Sequence, residues 1–279
     1  MPLPGTEIRV SSWRQLISEL HSRKIIPLRK NEGNHRRSPY VFRGMDVARW
    51  SLATSLERLS RTGTTNSRVV EHSLIRSFRK YANAGAFDKH SEWYVLAVAQ
   101  HNGLPTRCLD WSASPLVAAH FACGDERYSK DDGIIWCLNA EILRNINIAS
   151  NPKVTTLKGI SWAYDTRLLE DSFADLNALD ATSSAGDMML LWEPPSLDQR
   201  IASQSGLLTI MNNGNVSHDA FMQRHCGQHP DLLIRIVLDT KMKPEVRDML
   251  DQNNITERAL FPGLPGLCSW LKRYYGAAW

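Results

Sequence analysis

Side chains that bind anions and stabilise developing charge are concentrated in one stretch of the chain, AQHNGLPTRCLDWSASPLVAAHFACG. An arginine holds phosphate or carboxylate oxygens through its planar fork, and a nearby acid or hydroxyl orients a substrate or stabilises a cation. All of these side-chain types, together with a histidine, lie close together between two apolar runs. The polar candidates are His101, Arg107, Asp110, Ser112 and Ser114.

Two apolar helices and a short strand must position these residues. A helix is predicted over residues 91–102, because a serine can cap its start and a glycine follows its last turn. Leu104–Trp111 is predicted as a short, irregular strand, since its proline cannot occupy a central ladder position. A serine–proline pair then begins the helix Leu116–Cys123. The polar residues therefore fall on the links and the strand, where functional side chains are commonly displayed.

A second arginine, Arg43, ends the β-prone run Tyr40–Phe42 and is followed by Gly44. Glycine allows the backbone to turn there or to approach another group closely. An arginine at the end of a buried strand needs a partner. That partner is either a carboxylate, such as Asp110, or an anionic ligand held by the guanidinium. The residue taken alone leaves both interpretations open.

The remaining chain alternates helix and strand patterns without an internal repeat. This irregular alternation predicts one mixed α+β domain. Strands are predicted at residues 133–139, 188–192, 207–211 and 232–238, and helices at 13–20, 71–81, 217–226, 244–250 and 264–275. A capping box at 196–199 begins a further helix that runs through residue 202, and residues 163–179 have mixed helical character with many acids.

We divide the chain into residues 1–38, an N-terminal helix and basic loop, and residues 39–279, the main domain. The basic loop is either solvated or forms an electropositive lip for a phosphate-bearing ligand. Its charged residues are Arg29, Lys30, Arg36 and Arg37.

Composition excludes several classes of protein. The 279 residues carry a net charge of +4 and 43% hydrophobic residues, which is typical of a globular protein and compatible with an acidic partner. Five scattered cysteines, an odd number without C-x-x-C spacing, predict free thiols in a reducing compartment and no metal site. Without a signal-peptide pattern or a bilayer-length apolar run, we expect a cytoplasmic protein that does not enter a membrane. Walker, G-x-G-x-x-G, H-E-x-x-H and G-x-S-x-G motifs do not occur.

Three motifs are spaced along the central part of the chain: Phe42-Arg43-Gly44, the block Ala99-Gln100-His101-x-Gly103-Leu104-Pro105-Thr106-Arg107-x-Leu109-Asp110-Trp111, and Ser114-Pro115-Leu116-Val117-Ala118 with Phe121-Ala122. Together they resemble the FRG domain family, named for its Phe-Arg-Gly motif. The resemblance extends from Tyr40 to the C-terminus through Arg200-Ile201, Gln204-Ser205-Gly206 and Leu260-Phe261-Pro262-Gly263-Leu264. Cys108 and Leu208 depart from the usual family residues.

The layout is also similar to that of ADP-ribosyltransferases of the Arg-Ser-Glu type. The matching features are Arg43-Gly44 after the first strand, Ser112-Ala113-Ser114 before a helix, and the Gln204-Ser205-Gly206 turn, where glutamine replaces the family glutamate. This resemblance implies a split β core flanked by helices, with NAD as the substrate and no metal.

The same resemblance suggests a role for each candidate residue. Arg43 would bind the diphosphate of NAD, and Ser112 would position its ribose or act as a structural bridge. Asp110 or Gln204 would lie near the electrophilic ribose carbon. Gly44, His101, Thr106 and Arg107 would complete the NAD-binding set, with His101 and Arg107 orienting the reacting groups. The structural alternative is that Asp110 pairs with Arg107 or Arg43 and that Trp111 belongs to the core.

Two functions from different classes are therefore predicted. One is an NAD-dependent ADP-ribosyltransferase, a bacterial toxin or anti-phage defence effector, that modifies a nucleic acid or a protein. The net positive charge favours a nucleic-acid acceptor, and an antitoxin protein is a candidate partner. The alternative is a non-catalytic module that senses a nucleotide or binds a partner through the same pocket.

Overall fold

The computed structural model describes residues 3–26, 38–60, 67–82, 85, 87, 89–151, 154, 163–195 and 199–276. An eight-stranded mixed sheet runs through them in the order β1-β8-β4-β2-β3-β7-β6-β5, parallel only at its two outermost pairs. The predicted α+β architecture is confirmed. The strands are β1 (Thr6–Val10), β2 (Tyr40–Met45), β3 (Cys108–Ser112), β4 (Gly133–Asn139), β5 (Tyr164–Asp165), β6 (Met189–Glu193), β7 (Gly206–Met211) and β8 (Leu233–Leu238).

Helices cover both faces of the sheet, and several of them begin after a capping serine. The side chains of Ser12, Ser91, Ser114 and Ser217 each accept a hydrogen bond from a first-turn N–H. The helices are α1 (Trp13–Leu20), α2 (Ser55–Ser60), α3 (Ser67–Tyr81), α4 (Glu92–His101), α5 (Pro115–Ala122), α6 (Ala140–Ser150), α7 (Thr166–Ser172), α8 (Leu176–Ala181), α9 (Gln199–Gln204), α10 (His218–Cys226), α11 (Lys243–Gln252), α12 (Glu257–Leu260) and α13 (Leu264–Tyr275).

The sheet opens at its centre, between β2 and β3. β2 pairs with β4 along its whole length, and β3 pairs with β7 along its whole length. By contrast, β2 and β3 pair with each other at one position, Phe42 opposite Ser112. In an antiparallel register the next opposed residues would be Arg43 and Trp111, and these are not paired. The two strands therefore diverge beyond Phe42 and leave a cleft.

Helix α5 lies unusually close to β2 because Gly44 has no side chain. A Cβ atom at Gly44 would stand 1.8 Å from the carbonyl oxygen of Ala118, a separation that no real side chain tolerates. Ala118 and its neighbours Ala119 and Ala122 are buried against this face of the sheet. The glycine of the Phe-Arg-Gly motif is thus required for helix–sheet packing, which explains its place beside Arg43.

The N-terminal segment is built into the same sheet. β1 pairs in parallel with β8, and Leu16 and Leu20 of α1 are buried in the core beside α11. The described part of the predicted segment 1–38 is therefore continuous with the main domain. Its basic loop, with Arg29, Lys30, Arg36 and Arg37, lies outside the described residues, as do residues 196–198 of the predicted capping box.

Two predicted elements differ from the structure. The strand predicted over Leu104–Trp111 begins only at Cys108, because the segment before it folds back on α4, where the N–H of Leu104 donates to Ala99. The helix predicted over residues 163–179 is interrupted, since Asp165 and Asp175 act as N-caps of two separate helices. Two of the acids in this segment therefore mark the starts of helices.

Five free cysteines agree with the expectation of reduced thiols, and Cys108, Cys123 and Cys137 are buried. Of the helices in the described residues, none has the length and apolar character needed to cross a bilayer.

Candidate ligand-binding cleft

The opening between β2 and β3 forms a cavity of about 280 Å³. Helices α4, α5 and α9 wall it, and the aromatic rings of Phe42, Trp111 and Phe121 supply apolar surface. Its polar lining combines two arginines with an acid, two amides, a hydroxyl and a histidine. These residues are Arg43, Gln100, His101, Asp110, Ser112, Arg200 and Gln204.

Most of the sequence-predicted site residues converge on this cavity, although they come from distant parts of the chain. Arg43 and Gly44 lie on β2, His101 ends α4, Asp110 and Ser112 lie on β3, and Gln204 ends α9; all six line the cavity. Thr106 and Arg107 were predicted to bind the same ligand, and they are not among the lining residues.

The guanidinium of Arg43 spans the gap between the two diverging strands. Its Nη1 donates a 2.6 Å hydrogen bond to the main-chain oxygen of Asp110 and lies 3.9 Å from Oδ2 of the same residue. Its Nε is buried and has no hydrogen-bond partner among the described residues. Burial lowers the pKa of the Arg43 guanidinium. The negative charge of Asp110 partly offsets this lowering, and the positive charge of Arg58 adds to it. The protein therefore leaves one hydrogen-bond donor of this cation without an acceptor among the described residues.

Asp110 supplies the carboxylate of the cavity lining within the described residues, and two-thirds of its side chain is exposed. The amide of Gln100 donates from Nε2 to Oδ2 of Asp110 at 3.0 Å. The hydroxyl of Thr106 in turn donates to Oε1 of Gln100 at 2.5 Å. Of the two structural partners predicted for Asp110, the structure places Arg43 beside it and not Arg107.

Ser112 acts as a structural bridge, one of its two predicted roles. Its hydroxyl donates to the main-chain oxygen of Gln204 at 2.6 Å and accepts from the N–H of Ser114 at 2.9 Å. The side-chain amide of Gln204 donates to the carbonyl oxygen of Leu260 at 3.0 Å. These bonds join β3, α5, α9 and the end of α12 around the cavity, so both side chains help to shape its wall.

Arg107 is buried in an ion cluster away from the cleft, with 4% of its side chain exposed. Its Nε contacts Glu71 of α3 at 2.5 Å, and its Nη1 contacts Asp180 of α8. Burial lowers the pKa of the guanidinium, but the two carboxylates outweigh it and raise the pKa overall. The prediction that Arg107 orients or binds NAD is therefore replaced by a structural role, the joining of β3 to two helices.

Thr106 is fully buried, and its hydroxyl accepts from the N–H of Cys108 at 3.1 Å while it donates to Gln100. The predicted contact of Thr106 with NAD is thus replaced by a contact with Gln100 behind the lining.

The sequence did not indicate Gln100 and Arg200 as lining residues of the cavity, nor the buried His218 whose pKa responds to Arg43. Gln100 and Arg200 were quoted only as parts of motifs, yet both face the cavity; the guanidinium of Arg200 stacks 4.9 Å from the ring of Phe261. His218 of α10 is buried, and this burial, together with the charge of Arg43, lowers its pKa to about 3. The signal that was available for Gln100 was its position one residue before His101 in the last turn of α4.

Residues 38–131 match the family model of the FRG domain. This range contains Arg43, Gly44, His101, Asp110 and Ser112, so the resemblance expected from the sequence is confirmed there. Arg200, Gln204 and the C-terminal motif lie beyond the match. No curated protein and no solved structure proved similar enough to count as a match.

No cluster of three or more histidine, cysteine, aspartate or glutamate side chains suited to a metal ion occurs within the part of the chain that the structure describes.

Proposed function

We propose that this FRG-domain protein binds NAD in the cleft between β2 and β3 and transfers its ADP-ribose group to a macromolecule. The observation that carries the proposal is the local opening of the sheet. Arg43 stands on one side of the opening and Asp110 on the other, with their polar atoms 3.9 Å apart. A dinucleotide with an anionic diphosphate and a ribose that becomes cationic needs this pair of charges side by side.

The binding half of the function rests on the two arginines. Guanidinium groups bind diphosphate oxygens through paired hydrogen bonds, and Arg43 and Arg200 both line the cavity. The volume of the cavity, about 280 Å³, lies just below the range for small-molecule sites, about 300–1,000 Å³. We therefore expect the cavity to take the reacting end of the dinucleotide, while the remainder lies across its open mouth.

The chemical half of the function rests on Asp110. In the transfer, the bond between the nicotinamide nitrogen and C1′ of the ribose breaks, and the electron pair leaves with nicotinamide. A nucleophile of the acceptor forms the new bond to C1′ and gives up its proton. Positive charge develops on the ribose during this exchange, and a carboxylate held beside it lowers the barrier. Asp110 takes the part that the resemblance assigns to a glutamate, at whose position this chain has Gln204.

The acceptor is proposed to be a nucleic acid or a protein. The net charge of +4 favours nucleic acid through attraction to phosphate. A toxin or anti-phage effector with an antitoxin partner, acting in the cytoplasm, is the biological setting that the resemblance supports.

A second candidate, a non-catalytic module that senses a nucleotide, is favoured by the hydrogen bonds of Ser112 and Gln204. The hydroxyl of Ser112 and the amide of Gln204 are both engaged within the protein. A site in which these polar groups stabilise the wall can hold a nucleotide through its arginines and leave it intact.

Nicotinamide release separates the two candidates. Purified protein is incubated with NAD, and free nicotinamide is followed over time beside direct measurement of NAD binding by calorimetry. The proposal predicts release by the wild type and its loss in Arg43→Ala, with an unchanged circular dichroism spectrum. Arg127→Ala, at an exposed arginine outside the cleft, is the matched control and keeps the wild-type rate. Saturable binding without release would favour the sensing module, and neither binding nor release would reject both.

A further inference from the structure

Thr106, behind the lining of the cleft, and Gln100, within that lining, form a relay of hydrogen bonds that ends on the Asp110 carboxylate. The relay begins at the hydroxyl of Thr106, which accepts a hydrogen bond from the N–H of Cys108 at 3.1 Å. A hydroxyl has one proton to give, and here it goes to Oε1 of Gln100 at 2.5 Å. The Nε2 of Gln100 then donates to Oδ2 of Asp110 at 3.0 Å.

The direction of this relay follows from the donors and acceptors available. An ionised carboxylate only accepts hydrogen bonds, so the amide nitrogen of Gln100 must face Asp110. The opposite flip of the amide would set two oxygens against each other. It would also leave the hydroxyl proton of Thr106 without its acceptor. The orientation of Gln100 is therefore fixed from both ends.

The origin of the relay is itself rigid. Thr106 is fully buried, its N–H donates to the hydroxyl of Ser55 at 3.1 Å, and its carbonyl oxygen accepts from the N–H of Leu56 at 3.1 Å. Asp110 at the other end is two-thirds exposed, and an exposed carboxylate without an anchor samples several rotamers. The relay thus connects the buried Thr106 to the exposed carboxylate of Asp110 and restricts the rotamers of that carboxylate.

We propose that Gln100 and Thr106 are positioning residues that hold the Asp110 carboxylate at a set separation from Arg43. The inference rests on the proposed transferase function. Arg43 fixes the main chain of Asp110 through the 2.6 Å bond to its carbonyl oxygen, and Gln100 fixes the carboxylate. Together they place a negative charge beside the position where the ribose becomes cationic. An electrostatic group that needs no rearrangement during the reaction stabilises the transition state most effectively.

A double-mutant cycle tests the proposal, with Gln100→Met, Asp110→Asn and the two combined. Methionine keeps the length of the side chain and removes its hydrogen bonds. We expect Gln100→Met to lower kcat for nicotinamide release by about tenfold, with KM for NAD changed by less than about twofold. In the Asp110→Asn background, where the carboxylate is absent, the same substitution should change kcat by less than about twofold.

A second pair of variants guards against misfolding of the first. Thr106→Val removes the hydroxyl and keeps the shape, whereas Thr106→Ser keeps the hydroxyl. We expect Thr106→Val to reproduce the kcat loss of Gln100→Met, and Thr106→Ser to recover most of the activity. Thermal unfolding of each variant reports separately on the fold.

The outcomes distinguish the inference from the function on which it rests. If Gln100→Met lowers kcat equally with and without the carboxylate, Gln100 acts through the fold and the inference is wrong. If the wild type releases nicotinamide and Asp110→Asn does so at the same rate, the carboxylate role is wrong while the transferase function stands. If the wild type itself releases none, the transferase function fails, and the positioning role fails with it.

Discussion

Two arginines that the sequence places near the same acid have opposite environments in the structure. Arg43 bridges an open seam in the sheet, and its Nε is left without a hydrogen bond from the described residues. Arg107 is surrounded by Glu71 and Asp180 in the interior. A guanidinium that the protein satisfies completely has no capacity for a ligand, whereas one that it satisfies in part has. We therefore propose Arg43 as the cation that binds the ligand, whereas the contacts of Arg107 are those of a structural residue.

Replacement of Arg43 by lysine should weaken NAD binding although the charge is kept. Lysine supplies a point charge and loses the planar fork that binds two oxygens at once. We expect the dissociation constant to rise tenfold or more, equivalent to a loss of about 1.5–3 kcal/mol for hydrogen bonds to a charged group. Calorimetry on Arg43→Lys and on the surface control Arg127→Lys measures this. Equal affinity of Arg43→Lys and the wild type would contradict the role of the fork.

Replacement of Arg107 by methionine should destabilise the protein. Arg68 still reaches Asp180 at 2.8 Å, but Glu71 would remain buried without its counter-charge. Removal of one partner of a buried ion pair costs about 3–5 kcal/mol. Urea unfolding of Arg107→Met and of the exposed control Arg127→Met checks this difference. A free energy of unfolding unchanged by Arg107→Met would show that the cluster is not structural.

Among elements, the packing of α5 on β2 defines one wall of the cleft. The three residues of the Phe-Arg-Gly motif have different structural roles at adjacent positions of β2. Phe42 fills the core under α5, Arg43 faces the opening, and Gly44 admits the backbone of α5. Because strand residues alternate in direction, the side chains of Phe42 and Arg43 leave β2 on opposite faces, although both residues contribute to the cavity lining. A change in the glycine should therefore disturb the site through the helix.

Gly44→Ala tests this element directly. The added methyl group would stand 1.8 Å from the oxygen of Ala118, so α5 must move away from the sheet. We expect a destabilisation of about 1–3 kcal/mol or more, as for other overpacked cores. The matched control is Gly227→Ala, where an added Cβ meets no atom within 4 Å. The two variants are compared by urea unfolding, and similar midpoints for both would contradict the close packing.

Among the elements, the sequence predicts the helix ends that depend on residues within one turn of them. The sequence predicts the serines before α4 and α5 and the glycine Gly103 after α4, because caps act within one turn. β1 was not recognised. It is a five-residue edge strand whose exposed positions carry Glu7 and Arg9, and only its pairing with β8 makes it a strand.

Both the members of the site and their roles could be predicted only in part, since Gln100 and Arg200 were missed and Thr106 and Arg107 do not line the cavity. The motifs brought Arg43, Asp110, Ser112 and Gln204 together correctly. The partner of each polar group depends on helices that are distant in sequence. Glu71 and Asp180 enclose Arg107, and the carbonyl oxygen of Leu260 holds Gln204. No spacing rule indicates such contacts, so the relay through Gln100 was also missed.

At the scale of the whole molecule, the sheet continues from β1 to β5 and buries two histidines among its helices. Burial lowers the pKa of His120 and of His218 to about 3, with nearby arginine charges adding to the effect. In the unfolded chain a histidine has a pKa of about 6.5. Between about pH 3 and pH 6.5 the unfolded chain therefore binds more protons than the folded protein.

The free energy of unfolding should consequently fall as the pH is lowered from 7 to 5. Each of these histidines contributes a decrease of about 2 kcal/mol over this interval, because protonation stabilises only the unfolded chain. In His218→Leu the difference between the two pH values should shrink by about that amount. Urea unfolding at both pH values measures it, with the exposed His21→Leu as control. An undiminished difference in His218→Leu would show that this histidine is protonated equally in both states.

The most direct test of the central claim is a crystal structure of the protein with ADP-ribose. The account predicts that ADP-ribose occupies the opening between β2 and β3, with a diphosphate oxygen within about 3.2 Å of the Arg43 guanidinium and the ribose beside Asp110. ADP-ribose bound elsewhere on the protein, with Arg43 still directed only at Asp110, would contradict it.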